Sequence, residues 1–452
     1  MNQKLLRIGL ALLVVGACRG AMAQRVTTDG PLAKYVAKED KSYRWIKKHE
    51  GKIGTTSYAE LILTSQIWRD IVWKHQLFII KPSTVAPNAS HGMLFIAGGS
   101  WRDELSDPAG ETKLPREASL LATLAEQMKT PVAILLHVPQ QPIFGGKRED
   151  AIIAYTFDEY LKTSDPEWPL LLPMVKSAVR GMDAVTEFSD QTWSLKLKSF
   201  TVTGGSKRGW TTWLTGAIDA RATHLAPMVI DVLNMVPQMK HQRATWGKPS
   251  EQIEDYTQRD LDKKMDTPAG EALRAIIDPY SYRAILTQPK LVILGTNDPY
   301  WPLDAANLYW DGLSGQKHLL YIPNNGHSLN DVARLVGGLN ALNQQAITGK
   351  PLPKMSWKFS NGDGKLKLRL DSDTKPSRVN TWIATSPTKD FRPAKWNSHT
   401  AQANGDGHIC ELPLPKDGYA AMFGEAVFDG PTLPYFLSTN VRIVKAGETA
   451  AP

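Results

Sequence analysis

Two kinds of segment alternate along residues 58–349. Short apolar runs rich in β-branched residues predict strands, and stretches with apolar residues at helical spacing predict helices. The predicted strands comprise residues 61–63, 77–80, 93–96, 132–138, 200–202, 225–230, 291–294 and 318–322. The predicted helices comprise residues 116–128, 150–162 and 169–187 and a segment that starts near Lys207. Because the first strands follow one another and the later ones alternate with helices, we predict an α/β layered mixed sheet with antiparallel pairs at its start.

A polar, charged stretch without a strand-like run separates two of these strands, at about residues 233–285. Its helix-forming residues predict a helical insertion over one end of the sheet. Sheets of this class bind ligands beyond the carboxyl ends of their strands. The insertion is therefore placed to act as a lid.

The pattern changes after residue 351, where apolar and polar residues alternate strictly. Two segments, 361–364 and 404–407, read Asn-Gly-Asp-Gly, which is a strong hairpin-turn signal. We predict a separate β-sandwich domain over residues 351–452, similar in size to immunoglobulin or fibronectin III domains. The α/β domain would then occupy residues 24–350.

The amino terminus has the pattern of a secretory signal peptide over residues 1–23. Lys4 and Arg7 precede the apolar run 8–17, and Ala-Met-Ala at 21–23 is a cleavage site. We therefore expect export to the periplasm or the extracellular space. The less favoured alternative treats Cys18 as a lipoprotein cysteine, although the glycine before it fits that signal poorly.

The amino-acid composition limits the classes of protein to which the chain can belong. The chain has 452 residues, of which 42% are hydrophobic and 22% charged, as in a packed globular protein. No apolar run reaches the roughly 18–20 residues that span a bilayer. The net charge is +8, but its basic residues are scattered and no nucleic-acid-binding motif is present, so we expect no nucleic-acid partner. Removal of Cys18 would leave Cys410 alone, which excludes an internal disulfide and a thiolate metal cluster.

No cofactor or metal is expected, because the sequence lacks a P-loop, an H-E-x-x-H motif and a Rossmann glycine fingerprint. The most informative segment instead carries a candidate nucleophile. A predicted strand runs into Gly204, reaches Ser206 and continues as a helix, which is the layout of a nucleophile elbow. The usual motif has a second glycine where this chain has Arg208, with Gly209 one residue later. A short Gly-x-Ser is by itself more often an ordinary turn, so the elbow needs further support.

The support comes from an acid and a histidine in the order that this fold class uses. Asp298 follows one predicted strand, and His327 follows the next, with an interval that fits one helix and one strand. We predict a triad of Ser206, His327 and Asp298. Asp304 and Asp231 are alternative acids, and we prefer Asp298 because it falls soonest after the glycine that ends its strand.

The same chemistry needs donors for a developing oxyanion. The backbone N–H of Lys207 is one candidate, and Gly99 or Ser100 in the loop 97–101 supplies the other. Three tryptophans flank the predicted site and are candidates for a substrate pocket: Trp101, Trp210 and Trp301.

The chain resembles the PhoPQ-activated pathogenicity-related proteins. The resemblance covers most of the mature chain and rests on residues 63–68, 73–75, 204–209, 278–283, 295–300 and 324–327. It implies an α/β-hydrolase-like fold, export and a link to bacterial virulence regulation, without a settled substrate. The family also includes a eukaryotic autocrine proliferation repressor, which implies that some members act as secreted signals.

A second, local similarity joins residues 204–209 to glucuronoyl esterases, which also place a basic residue after the serine. If Lys207 has the corresponding part, its ammonium would lie near the oxyanion or an acidic substrate group. We predict an exported serine hydrolase that acts on an ester or amide of a small molecule, a peptide or a glycan. The alternative is a secreted binding or signalling protein that keeps the fold without turnover. The oligomeric state stays open.

Overall fold

The structure is a computed structural model that describes residues 29–86, 89–107, 110–362, 364–430 and 432–448. The predicted signal peptide and Cys18 lie outside these residues. The strands are β1 (Arg44–Ile53), β2 (Thr56–Trp68), β3 (Ile71–Lys81), β4 (His91–Ile96), β5 (Val132–Leu135), β6 (Ser199–Gly205), β7 (Ala222–Met228), β8 (Lys290–Gly295), β9 (Lys317–Ile322), β10 (Met355–Gly362), β11 (Lys365–Ser372), β12 (Arg378–Ser386), β13 (Asn397–Thr400), β14 (Gln402–Asn404), β15 (Gly407–Pro413), β16 (Tyr419–Phe428), β17 (Tyr435–Ser438) and β18 (Arg442–Lys445). The helices are α1 (Pro31–Ala37), α2 (Ala118–Met128), α3 (Glu149–Thr163), α4 (Leu171–Trp193), α5 (Lys207–Ile218), α6 (Met235–Trp246), α7 (Glu254–Thr257), α8 (Leu261–Lys264), α9 (Pro268–Ile277) and α10 (Val332–Thr348).

The main sheet runs in the order β1-β2-β3-β5-β4-β6-β7-β8-β9. Strands β1, β2, β3 and β5 pair antiparallel in turn, and every pair from β5 through β4 to β9 is parallel. This arrangement confirms the predicted mixed sheet and the antiparallel pairs at its start.

Both faces of this sheet are buried under helices. In β8, Leu291 and Ile293 pack in the layer of α2 and α10, whereas Val292 and Leu294 pack in the layer of α4 and α5. A strand covered on both sides needs apolar residues at every position, which is why it reads as a continuous apolar run.

Some predicted elements differ from the observed ones. The predicted strand 132–138 ends at Leu135, because His137 has a φ of 62° and leaves the extended conformation. The helix expected between Asp298 and His327 is only a 3-10 turn, Ala305–Leu308. The strand expected to end at residue 230 ends at Met228.

Between β7 and β8 the chain forms α6 to α9, which occupy the stretch where the helical insertion is predicted. Among the residues that the structure describes, no helix is both long enough and apolar enough to cross a bilayer.

The carboxyl-terminal strands form two antiparallel layers, and both predicted hairpins are present. One layer has the order β10-β11-β15-β14, and Leu366 and Leu368 of this layer pack against Met422 of the other. The other layer contains β12, β13, β16, β17 and β18, and it continues the main sheet through a pairing of Ser438 with Leu319. The antiparallel layers agree with the predicted sandwich, while its immunoglobulin- or fibronectin-like character and its independence stay predictions.

Candidate active site

Ser206 lies at a sharp turn between β6 and α5. Its φ of 57° and ψ of −129° are uncommon for a residue with a side chain, and strained backbone of this kind clusters at functional sites. The backbone N–H of Ser206 donates a hydrogen bond to the carbonyl oxygen of Met228 at 2.9 Å, which ties the turn to β7. The turn therefore has the geometry of a nucleophile elbow.

Two glycines allow this close packing, and the second is Gly209. A Cβ on Gly204 would lie 2.8 Å from the Cβ of Arg208. A Cβ on Gly209 would lie 2.8 Å from the Met228 carbonyl oxygen and 3.0 Å from that of Gly204. Gly209 therefore makes the close backbone contact of this turn, one position after the second glycine of the usual motif. Arg208 is tolerated because its side chain points away from the turn. The Nε of Arg208 donates to the carbonyl oxygen of Val138 at 2.6 Å.

His327 and Asp298 form a hydrogen-bonded pair at the carboxyl edge of the sheet. Asp298 follows β8 and His327 follows β9, and the Nδ1 of His327 lies 2.8 Å from the Oδ2 of Asp298. An ionised carboxylate only accepts hydrogen bonds, so Nδ1 carries the proton. The Nε2 of a neutral ring is then an acceptor, and this buried atom has no hydrogen-bond partner among the described residues. The imidazole is therefore arranged to take a proton at Nε2.

Tyr300, which the sequence analysis missed, holds this pair from two sides. Its backbone N–H donates to the Oδ1 of Asp298 at 2.9 Å. Its ring stacks on the imidazole of His327, with ring centroids 4.1 Å apart and planes 28° apart. The position two residues after an acid in a turn was the only signal in the sequence that could have indicated this role.

The two alternative acids have other partners in the part of the chain that the structure describes. Asp304 lies 2.6 Å from the Nε2 of His241. Asp231 is buried and accepts a hydrogen bond from the hydroxyl of Tyr309. Burial raises the pKa of Asp231 to about 7, and the charges of Asp298 and Asp304 add to this effect.

Ser206 and His327 line one cavity of about 90 Å³. Trp210, Trp301 and Lys207 line it as well. Much of the remaining wall comes from the helical insertion, through Met235, Met239, Ile253, Tyr256, Leu261 and Met265. The insertion therefore covers the candidate site.

The other predicted site residues lie elsewhere. Of the described residues, neither Gly99 nor Trp101 is among those that line the cavity. Gly99 has a φ of 121°, and a Cβ on it would lie 2.8 Å from the Nδ1 of His137. The ring of Trp101 packs edge-to-face on His137 with centroids 5.7 Å apart. The hydroxyl of Ser100 accepts a hydrogen bond from Arg148.

Lys207 begins α5, so its backbone N–H has no partner within the helix. Its side chain is only 7% exposed, and its Nζ lies 2.9 Å from the carboxylates of both Glu149 and Asp150. Arg208 binds the other oxygen of Glu149 at 2.8 Å. Burial alone would raise the pKa of Glu149, but these two cations outweigh it and lower that pKa to about 2. The ammonium of Lys207 is thus neutralised by neighbouring carboxylates.

Comparison with known proteins adds the following. The sequence profile of the family described as PhoPQ-activated pathogenicity-related protein matches residues 32–392. Autocrine proliferation repressor protein A of Dictyostelium discoideum is 32% identical over 385 residues, which cover 80% of this chain and 76% of that protein.

Solved structures give more distant likenesses. An acetyl xylan esterase from Paenibacillus sp. R4 has a TM-score of 0.45 and 12% identity, with coverage of 66% of this chain and 87% of that one. A glucuronoyl esterase from Solibacter usitatus has a TM-score of 0.40 and 13% identity, with coverage of 70% and 90%. These likenesses are too remote to carry a substrate or a mechanism to this chain.

Proposed function

This chain belongs to the family of PhoPQ-activated pathogenicity-related proteins, and on that premise we propose that it is an exported serine hydrolase that cleaves an ester or amide bond. One observation carries the proposal. Ser206 stands at a strained elbow and shares a cavity with His327, whose Nδ1 is bound by Asp298 and whose Nε2 is left to accept a proton.

The proposed mechanism gives each of these residues a role, and it requires the Oγ of Ser206 to approach the Nε2 of His327, to which it is not hydrogen-bonded in the structure. The Oγ of Ser206 attacks the substrate carbonyl while the Nε2 of His327 takes its proton and later gives it to the leaving group. Asp298 orients the imidazole and stabilises its charged form. The backbone N–H of Lys207 donates to the oxyanion. The second donor, expected from Gly99, is not among the residues that line this cavity. Water then releases the acyl group by the same steps in reverse.

Export and a part in virulence belong to the proposal as well. Export rests on the signal-peptide pattern of residues 1–23. The link to virulence rests on the description of the family.

A second candidate function is signalling without turnover. It is favoured by the 32% identical relative, whose name describes a proliferation repressor. A protein of this kind would keep the fold and the cavity but would not need a reactive Ser206.

Labelling with a fluorophosphonate probe separates the two functions, because the probe reacts with a serine that a neighbouring base activates. We expect the wild type to be labelled and Ser206→Ala to be unlabelled. Ser328→Ala, which changes an exposed serine beside His327, is the matched control and should be labelled like the wild type. A folded wild type that resists the probe would contradict the hydrolase and favour the signalling protein.

A further inference from the structure

The cavity beside Ser206 has a mostly apolar wall, and the Lys207 and Asp150 side chains that line it are paired with each other. We propose that it takes an uncharged aliphatic acyl chain, so that the substrates are esters or amides of medium-chain acids. This inference rests on the proposed function and assigns the acyl group that the reaction would transfer. This acyl preference would distinguish the protein from enzymes that remove acetyl or uronoyl groups.

The wall of the cavity is mostly apolar. Met235, Met239, Ile253, Leu261 and Met265 contribute apolar side chains from the insertion. Val229, Ile230 and Trp210 close the cavity from the side of the sheet. Methionine is unbranched and adapts its shape to a flexible apolar ligand. An alkyl chain attached to the carbonyl at Ser206 would leave water for this wall.

Several charged side chains of the wall have partners of opposite charge. Lys207 and Asp150 both line the cavity, but they pair with each other at 2.9 Å. Asp262 also lines it and is bound through Oδ2 by Arg243. An anionic acyl group would therefore meet no unpaired cation among these lining residues. The buried Oδ1 of Asp262 has no hydrogen-bond partner among the described residues, which makes a cationic acyl group the rival to be tested.

The size of the effect follows from burial of the chain. Each methylene that enters an apolar wall is expected to raise kcat/KM by about fourfold, the equivalent of ~0.8 kcal/mol. A hexanoyl group has four more methylenes than an acetyl group, so hexanoyl esters should react roughly 200-fold faster than acetyl esters with the same leaving group.

The experiment compares full-length mature protein on p-nitrophenyl acetate, butanoate and hexanoate. It adds two hexanoate analogues of similar length, one ending in an ammonium and one in a carboxylate. We expect the neutral hexanoate to react fastest and the carboxylate analogue slowest. Equal rates for acetate and hexanoate, or a faster ammonium analogue, would overturn the inference while hydrolysis itself stands. A comparison of ethyl hexanoate with hexyl acetate tests whether the cavity binds the acyl group or the alcohol. Faster turnover of hexyl acetate would contradict the inference, because the cavity would then bind the alkyl chain of the leaving group.

A variant tests the cavity itself. The larger side chain of Met239→Trp would fill part of the cavity, so the hexanoate-to-acetate ratio of kcat/KM should fall at least tenfold. Leu273→Met is the matched control, because Leu273 is a buried residue of the same insertion that is not among the lining residues, and it should keep the wild-type ratio. The ratio is insensitive to the fraction of folded protein. An unchanged ratio in Met239→Trp would contradict the proposal, whereas no hydrolysis of any ester together with no fluorophosphonate labelling would refute the hydrolase and this inference with it.

Discussion

Replacement of Asp298 by asparagine is expected to lower kcat/KM by about 10⁴-fold without unfolding the protein. The two carboxylate oxygens of Asp298 have different partners, and this decides how the amide would orient. Oδ1 accepts the backbone N–H of Tyr300 at 2.9 Å, and Oδ2 accepts the Nδ1 proton of His327 at 2.8 Å. An asparagine keeps the first bond only if its oxygen faces Tyr300. Its NH₂ group then faces His327.

That orientation reverses the tautomer of the imidazole. Nδ1 must accept from the amide, so the ring proton moves to Nε2, the atom that should take the proton of Ser206. Loss of a charge-assisted hydrogen bond alone would cost about 1.5–3 kcal/mol, or roughly 10- to 150-fold in rate. The wrong tautomer removes the base itself, which is why the larger factor is expected.

The assay measures kcat/KM on a p-nitrophenyl ester, with circular dichroism to verify the fold. Asp304→Asn and Asp231→Asn are the matched controls, since both carboxylates follow a strand at the same edge but have the partners His241 and Tyr309. We expect both controls to stay within tenfold of the wild type. The reasoning is refuted if Asp298→Asn keeps its activity while either control loses it.

Three further predictions concern the surroundings of the site. Gly209→Ala should cost about 1–3 kcal/mol in urea unfolding, because its Cβ would lie 2.8 Å from a carbonyl oxygen; Gly205→Ala, whose Cβ meets only a methyl group at 3.8 Å, is the control, and equal losses would contradict this packing argument. Asp231 holds a proton in the folded state up to a pKa of about 7, whereas the unfolded chain releases it near pH 4, so its contribution to stability is full below about pH 4 and is lost as the pH rises through 7. Asp231→Asn should remove this fall, which amounts to about 3 kcal/mol when the free energies of unfolding are compared at pH 5 and pH 8, and an unchanged pH dependence would refute the assignment. Tyr300→Leu should lower kcat about 2- to 10-fold by releasing the stacked imidazole of His327, whereas Tyr300→Phe, which keeps the ring, should retain the wild-type kcat. Equal losses in both variants would exclude stacking as the cause.

The centre of the sheet could be predicted because burial on both faces leaves a strong local signal. The run 291–294 is apolar at every position, and its residues alternate between the two helical layers. The ends of such runs also locate the carboxyl edge, where Asp298 and His327 follow β8 and β9. Local pattern therefore sufficed to place two polar residues that lie 29 apart in the chain on neighbouring strand ends.

The strands at the edges of the sheet lack this continuous apolar pattern. Strand β1 is a sheet edge, and none of its residues is fully buried. Edge strands are commonly charged, which limits pairing with other chains, and the charge hides their alternation. The pairing of Ser438 with Leu319 joins strands more than a hundred residues apart, and alternation specifies the face of a strand but not its partner.

The charged residues at the elbow also have partners that the sequence does not reveal. Lys207 and Arg208 lie in the first turn of α5, where cations oppose the positive end of the helix dipole. The local similarity to glucuronoyl esterases implies only that the ammonium of Lys207 lies near the oxyanion or an acidic substrate group. In the fold, α3 begins beside them, and Glu149 and Asp150 supply two carboxylates that balance both charges. The partners lie nearly sixty residues upstream, and the sequence does not show that they meet. Because this pairing neutralises the cations, they fix α5 against α3 and hold the elbow in place. The selection of an acyl group, as we propose it, would then depend on the apolar wall of the cavity.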